Sequence, residues 1–163
     1  MLIYLRHGDD RGPAKYRHDR HLNARGKKQA RKACLDLVTK YGQPDEVFVS
    51  PFRRTLETLE AMNDHFTGSV AVHHDDRIAQ YLGQKKRSPS VSPETASRVD
   101  VGESRDAFRA RVKEHVREVR ERAKTTAIWC VTHQVVIEEV SSYFGGRQIR
   151  VDLEFLDHVV MLR

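Results

Sequence analysis

Apolar and polar positions alternate along the chain in blocks that read as strands, each followed by a helix. The apolar run Met1-Leu2-Ile3-Tyr4-Leu5 predicts a strand buried on both faces, and it stops abruptly at Arg6-His7-Gly8. The polar stretch from Asp9 to His21, with Gly12 and Pro13, reads as a loop. Asn23 then caps a helix to about Tyr41. Its apolar positions Ala30, Ala33, Cys34, Leu37, Val38 and Tyr41 recur at three and four, and Gly42 and Pro44 stop it. Glu46 to Val49 is a second short strand. Ser50-Pro51 opens a second helix, with proline in the first turn where no backbone donor is lost, and with Phe52, Leu56, Leu59 and Phe66 as its buried stripe. Ser69 to His73 reads as a weaker third strand.

From Asp75 to Gly102 the periodicity fails. Gly83, Pro89 and Pro93 punctuate a stretch rich in Ser, Lys and Arg, and an irregular segment of this length predicts a lid or binding loop. Glu103 to Arg122 is a strong amphipathic helix with Phe108, Val112, Val116 and Val119 on one face. Ala127 to Val131 is the next buried strand, ending in Thr132-His133. Val135 to Phe144 follows as a helix, Gly145-Gly146 turns the chain, and Gln148 to Leu153 with His158 to Leu162 read as a final strand pair. Strands alternating with helices predict an α/β fold, a three-layer sandwich whose largely parallel central sheet carries helices on both faces. At 163 residues the chain fits one domain, residues 1–163, with 75–102 as its insertion.

Composition narrows the function classes. No apolar run is long enough to span a bilayer, and the N-terminus lacks a signal-peptide pattern, so a cytoplasmic protein without membrane contact is expected. Cys34 and Cys130 have neither metal-ligand spacing nor the density of a disulfide scaffold, and are expected to be reduced and buried. A net charge of +6 favours anionic partners: nucleic acid, an acidic membrane face or phosphorylated substrates. Arg105, Arg109, Lys113, Arg117 and Arg120 lie opposite the apolar stripe of their helix, as on any solvated helix, and no interleaved aromatics suggest base stacking. Nucleic acid is therefore not expected as a partner.

The chemistry gathers at strand ends. Two strands end in histidine, at His7 and His133, and a third delivers Ser50-Pro51-Phe52-Arg53-Arg54-Thr55. An open α/β sheet keeps its ligands outside the carboxyl ends of its strands. Neutral imidazole is a good nucleophile at physiological pH, and guanidinium grips phosphate oxygens in bidentate fashion. These groups suit attack on a phosphoryl centre.

Leu5-Arg6-His7-Gly8 resembles the hallmark of the histidine phosphatase superfamily, which includes the cofactor-dependent phosphoglycerate mutases. Leu22-Asn23-Ala24-Arg25-Gly26 with Gln29-Ala30, Ser50 to Arg54 with Thr58, Gly102-Glu103-Ser104 leading to Phe108 and Arg111, and Val131-Thr132-His133 are similar to further family segments, in the family's order. The resemblance implies that His7 is the nucleophile that takes up the phosphoryl group as a phosphohistidine. Arg6, Arg54 and His133 would hold its oxygens, with neither metal nor organic cofactor. It implies a phosphorylated small molecule or phosphoprotein as substrate. Arg53, one position early in the Ser-Pro-x-x-Arg spacing, is expected to face solvent, and the other histidines, His18, His21, His65, His73, His74, His115 and His158, are expected to be ordinary.

Three departures from the family pattern bear on the reaction. Where many members carry a general-acid glutamate, the chain reads Arg77-Ile78-Ala79-Gln80-Tyr81-Leu82-Gly83. The position falls on Gln80, or on Ala79 if the glycine sets the register, and neither can donate a carboxylic proton. Gln134 stands where glycine commonly follows the second histidine. The loop after Gly8 lacks the usual asparagine and has Asp9 and Asp10, either of which is a candidate replacement acid. Gln80, Asp10 and Gln134 are expected to line the substrate site. Without the acid, activated phosphoryl groups are favoured over alkyl esters, as in the short phosphohistidine phosphatases. A weak or inactive phosphate-binding relative and a mutase-like phosphotransferase are the alternatives.

Overall fold

The computed structural model describes residues 1–13, 18–83 and 91–144, and the backbone of 158–161. Its elements are β1 (Leu2–Arg6), α1 (Ala24–Tyr41), β2 (Glu46–Val49), α2 (Arg53–Asn63), β3 (Ala71–His74), α3 (Pro93–Ala96), α4 (Arg105–Arg122), β4 (Ile128–Thr132), α5 (Gln134–Ser142) and β5 (His158–Met161). The strand order is β3-β2-β4-β1-β5, with β5 antiparallel to β1 and the other pairings parallel.

Strand alternation explains the layers. β1 sends Ile3 and Leu5 to one face and Leu2 and Tyr4 to the other; β4 does the same with Trp129 and Val131 against Ile128 and Cys130. On the first face these side chains meet Ala30, Cys34 and Leu37 of α1 and Leu59 and Met62 of α2. On the second they meet Phe108, Val112 and Val119 of α4 and Ile137 and Val140 of α5. Each buried side chain of Leu or Phe size contributes about 1.5–3 kcal/mol. Both cysteines are buried and free, as expected.

Helix boundaries follow local chemistry. Asn23 caps α1 by accepting from Gly26 N at 2.8 Å, and Gly42, with φ 80°, ends it in a conformation that favours glycine. Ser104 caps α4 by accepting from Ala107 N. α2 starts at Arg53 rather than at Pro51, with Phe52 at its cap position, and closes at Asn63, so Phe66 packs from beyond its end. β3 runs from Ala71, two residues later than the sequence pattern suggests, and lies on the sheet edge. This position leaves Val72 exposed and weakens the alternation that marks a strand.

The described residues of the segment 75–102 are packed against the domain. They hold a 3-10 turn at Asp76–Ile78 and the short α3, and bury Ala79, Leu82 and Val91 against Phe52. The expected strand at Gln148 to Leu153 lies outside the described residues, as does the centre of the insertion. Among the described residues no helix is long and apolar enough to cross a membrane.

α1 follows β1 onto one face of the sheet, whereas α5 follows the neighbouring β4 onto the other. A crevice therefore opens between the carboxyl ends of β1 and β4, the switch point where such sheets hold ligands.

Candidate active site

The residues immediately after β1 and β4 are His7 and His133, and their rings meet edge to face with centroids 5.3 Å apart. His7 Nδ1 lies 2.8 Å from the Gly8 carbonyl, which can only accept, so Nδ1 carries the proton. The Nε2 lone pair is left facing the crevice, where Arg54 Nε donates to it at 3.0 Å. Arg54 Nη2 donates to His133 Nδ1 at 3.1 Å. His133 therefore carries its proton on Nε2, which donates to Ser50 Oγ at 2.8 Å.

Both rings are buried, and desolvation together with the Arg54 charge holds each well below the ordinary histidine pKa of 6.5. They are neutral at physiological pH. Arg6, at the end of β1, adds its positive charge to the same field. Burial lowers Arg54 itself to about 10, so it remains a cation. Arg54 also donates to the His18 carbonyl at 2.6 Å and, through Nη2, to Gln80 Oε1. Its placement follows from α2: the first turn of that helix points Arg54 into the crevice and leaves Arg53 exposed, donating to His21 Nε2.

Supporting contacts explain the spacing of the motifs. A Cβ on Gly26 would stand 2.3 Å from the Asp9 carbonyl oxygen, and one on Gly8 would stand 2.7 Å from that of Gly26. Only two glycines allow the loop after β1 to lie against the start of α1. Gln29 Oε1 accepts from Asp9 N, the Asp9 carbonyl accepts from Asn23 N, and Thr58 Oγ1 accepts from Gly8 N.

Three of the remaining candidates separate clearly. Asp9 is buried and gripped by Arg11 through both carboxylate oxygens, which holds it at about 2. Asp10 Oδ2 lies 3.7 Å from Arg54 Nε, the nitrogen that donates to His7. Gln134 is exposed and donates to Glu138 one turn along α5. Its side chain thus turns along its own helix, and among the described residues no hydrogen bond joins it to the pair.

Local patterning does not predict the clasp that holds the segment leading to Gln80. Buried Glu103 pairs with Arg111 through both carboxylate oxygens, and Arg111 Nη1 donates to the carbonyls of Arg77 and Ala79. Thr132 Oγ1 donates to the Ile78 carbonyl between them. Asp75, held below the usual carboxylate range by His115 and Arg77, anchors the start of the same segment. His115 is thus a core histidine, in keeping with its ordinary reading. Among the described residues no cluster of side chains is suited to hold a metal ion.

The family model described as "Histidine phosphatase superfamily (branch 1)" matches residues 2–155. Among solved structures, the protein histidine phosphatase SixA complexed with tungstate aligns at a TM-score of 0.68 and 15% identity, covering 95% of this chain and 83% of that one. The α-ribazole phosphatase from Shigella flexneri aligns at 0.66 and 20% identity, covering 89% and 79%. A phosphoserine phosphatase from Entamoeba histolytica, in complex with 3-phosphoglyceric acid, aligns at 0.61 and 18% identity, covering 88% and 78%. No curated protein matches the chain.

Proposed function

The chain belongs to branch 1 of the histidine phosphatase superfamily, and from that premise we propose that it is a metal-independent phosphatase working through a phosphohistidine on His7, with residues 1–163 acting as one domain. One observation carries the reading: a neutral imidazole whose unprotonated Nε2 faces a buried guanidinium 3.0 Å away. Nε2 attacks the phosphoryl group while Arg54, Arg6 and His133 take its oxygens, replacing the contacts Arg54 makes with the two rings. Donors already aimed at the place where charge develops are the largest contribution such a site can make. The Gly8 carbonyl keeps the proton on Nδ1, and so keeps Nε2 the attacking atom. Gln80, which accepts from the same Arg54 nitrogen that meets His133, completes the phosphate pocket. The substrate is a phosphorylated small molecule or phosphoprotein.

The test is to mix the protein with a panel of aryl, acyl, alkyl and histidyl phosphates, quench in alkali, and look for phosphate on His7 by mass spectrometry. Labelling of wild type and none of His7→Ala is expected. No labelling by any compound overturns the reading in favour of a phosphate-binding relative without turnover. That second reading is favoured by Gln80, an amide in contact with Arg54 at the position where a carboxylic acid would serve.

A further inference from the structure

We propose that Asp10 is the general acid–base of this site, protonating the leaving oxygen at the boundary between the phosphate pocket and an adjoining cavity. The proposal rests on the phosphatase reading above and extends its substrates to phosphate esters of ordinary alcohols.

A cavity of about 580 Å³ is lined in part by Asp10, Pro13, Asp19, His21, Arg53 and Ser92; among the described residues its wall includes neither histidine of the pair nor Arg54, and Asp10 is the side chain that links it to them. Asp10 belongs to this wall and also reaches to 3.7 Å from Arg54 Nε, the nitrogen that touches the His7 nucleophile. A phosphoryl group seated on Arg54 with its organic part in the cavity places the bridging oxygen between the two, within reach of Asp10.

Glu94 also lines the cavity, but among the described residues the carboxylate paired with Arg54 is that of Asp10, and three other carboxylates nearby are committed elsewhere. Asp9 is closed by Arg11. Asp19 accepts from Ser92 Oγ and Thr95 Oγ1 and ties the loop after β1 to α3. Glu57 accepts from Leu22 N and pairs with His21. The ion pair of Asp10 with Arg54, at 3.7 Å, is longer than a hydrogen bond and is released when phosphate takes the guanidinium. A dianion beside a carboxylate is relieved by one shared proton, so a bound monoester monoanion next to the Asp10 carboxylate is equivalent in protons to a dianion next to the Asp10 acid.

The steps then balance. His7 Nε2 forms a bond to phosphorus as the phosphorus–oxygen bond breaks. The electron pair leaves on oxygen, which takes the Asp10 proton and departs as alcohol. Water then attacks the phosphohistidine and gives a proton to the Asp10 carboxylate, and the phosphorus–nitrogen bond breaks with its electron pair returned to Nε2. Inorganic phosphate leaves, and both residues are restored.

The experiment compares kcat/KM for p-nitrophenyl phosphate and glycerol 2-phosphate in wild type, Asp10→Asn, Asp10→Glu and His7→Ala. Wild type is expected to hydrolyse both through His7. Asp10→Asn should lose roughly 10²–10³-fold on the alkyl ester but less than about tenfold on the aryl ester, whose leaving group needs no proton. It should also accumulate phospho-His7 from the aryl ester, since the hydrolytic half-reaction loses its base, and Asp10→Glu should recover part of the alkyl rate. Equal losses on both esters, or none, would overturn the role of Asp10 by reducing it to charge or packing. Wild type active only on the aryl ester overturns it too, while leaving the phosphatase reading intact. Background rates on both, indistinguishable from His7→Ala, remove the phosphatase reading and the proposal with it.

Discussion

Ser50 and His133 are 83 positions apart in sequence, yet Ser50 Oγ lies 2.8 Å from His133 Nε2. The contact completes the tautomer that Arg54, which can only donate, imposes on a buried ring: His133 meets the guanidinium through the Nδ1 lone pair, and Ser50 accepts the Nε2 proton. Ser50→Ala removes that acceptor and lets the ring choose the other tautomer, in which an N–H would face the guanidinium. The expected result is a loss of about tenfold in kcat/KM for an aryl phosphate, corresponding to about 1.4 kcal/mol, with the fold retained. A rate unchanged within twofold would show that the ring is oriented by other contacts.

Burial and the Arg54 charge press both His7 and His133 below 6.5 in the folded protein. Below that pH the unfolded chain binds protons that the folded chain refuses, so their contribution is complete above pH 6.5 and is lost as the pH falls toward the folded values. Stability is expected to decline on acidification by up to about 1.4 kcal/mol per histidine per pH unit. Urea midpoints measured from pH 8 to about pH 5 should fall more steeply for wild type than for His133→Gln. Parallel slopes would refute the assignment.

Gly26 is fixed by a neighbour rather than by its own turn. An alanine at this position meets the Asp9 carbonyl oxygen at 2.3 Å, and backbone cannot swing aside as a long side chain can. Gly26→Ala should cost about 1–3 kcal/mol in urea unfolding and displace the loop that carries His7 and Gly8, lowering phosphohistidine formation. A variant with wild-type stability and labelling would be incompatible with this approach of the two backbones.

The Glu103–Arg111 pair holds the segment that leads to Gln80. Arg111→Met strands a buried carboxylate and frees two carbonyls, and should destabilise the protein by about 3–5 kcal/mol, whereas exchanging both partners for apolar residues should cost much less. A double-mutant cycle by chemical denaturation measures the difference. Additive losses would mean that the two residues act independently.

Much of this site is legible in one dimension because its parts are set by backbone placement. A buried strand that stops at Arg6-His7-Gly8, and another that stops at Thr132-His133, announce themselves through apolar patterning alone. Ser50 to Arg54 does so through a strand-to-helix junction. The largely parallel sheet with helices on both faces also followed from alternating strands and helices, though its strand order did not. What patterning does not carry is the partner of a polar side chain. Asp9 and Asp10 are adjacent and chemically identical, and only the fold turns one onto Arg11 and the other toward Arg54. Gln134 sits beside a site histidine, but the start of α5 directs its amide along the helix to Glu138. The Glu103–Arg111 clasp acts on carbonyls more than thirty positions earlier, a relation no local window contains.

The parallel register of β1 and β4, which pairs Arg6 with Thr132, makes His7 and His133 the next rung of the same ladder. Their separation is then one inter-strand spacing, about 4.8 Å, a gauge cut by backbone hydrogen bonds and independent of side-chain rotamers. A slip of a single residue in either strand would leave the sheet hydrogen-bonded yet turn one imidazole to the opposite face. The gap between the two imidazoles is thus inherited with the sheet.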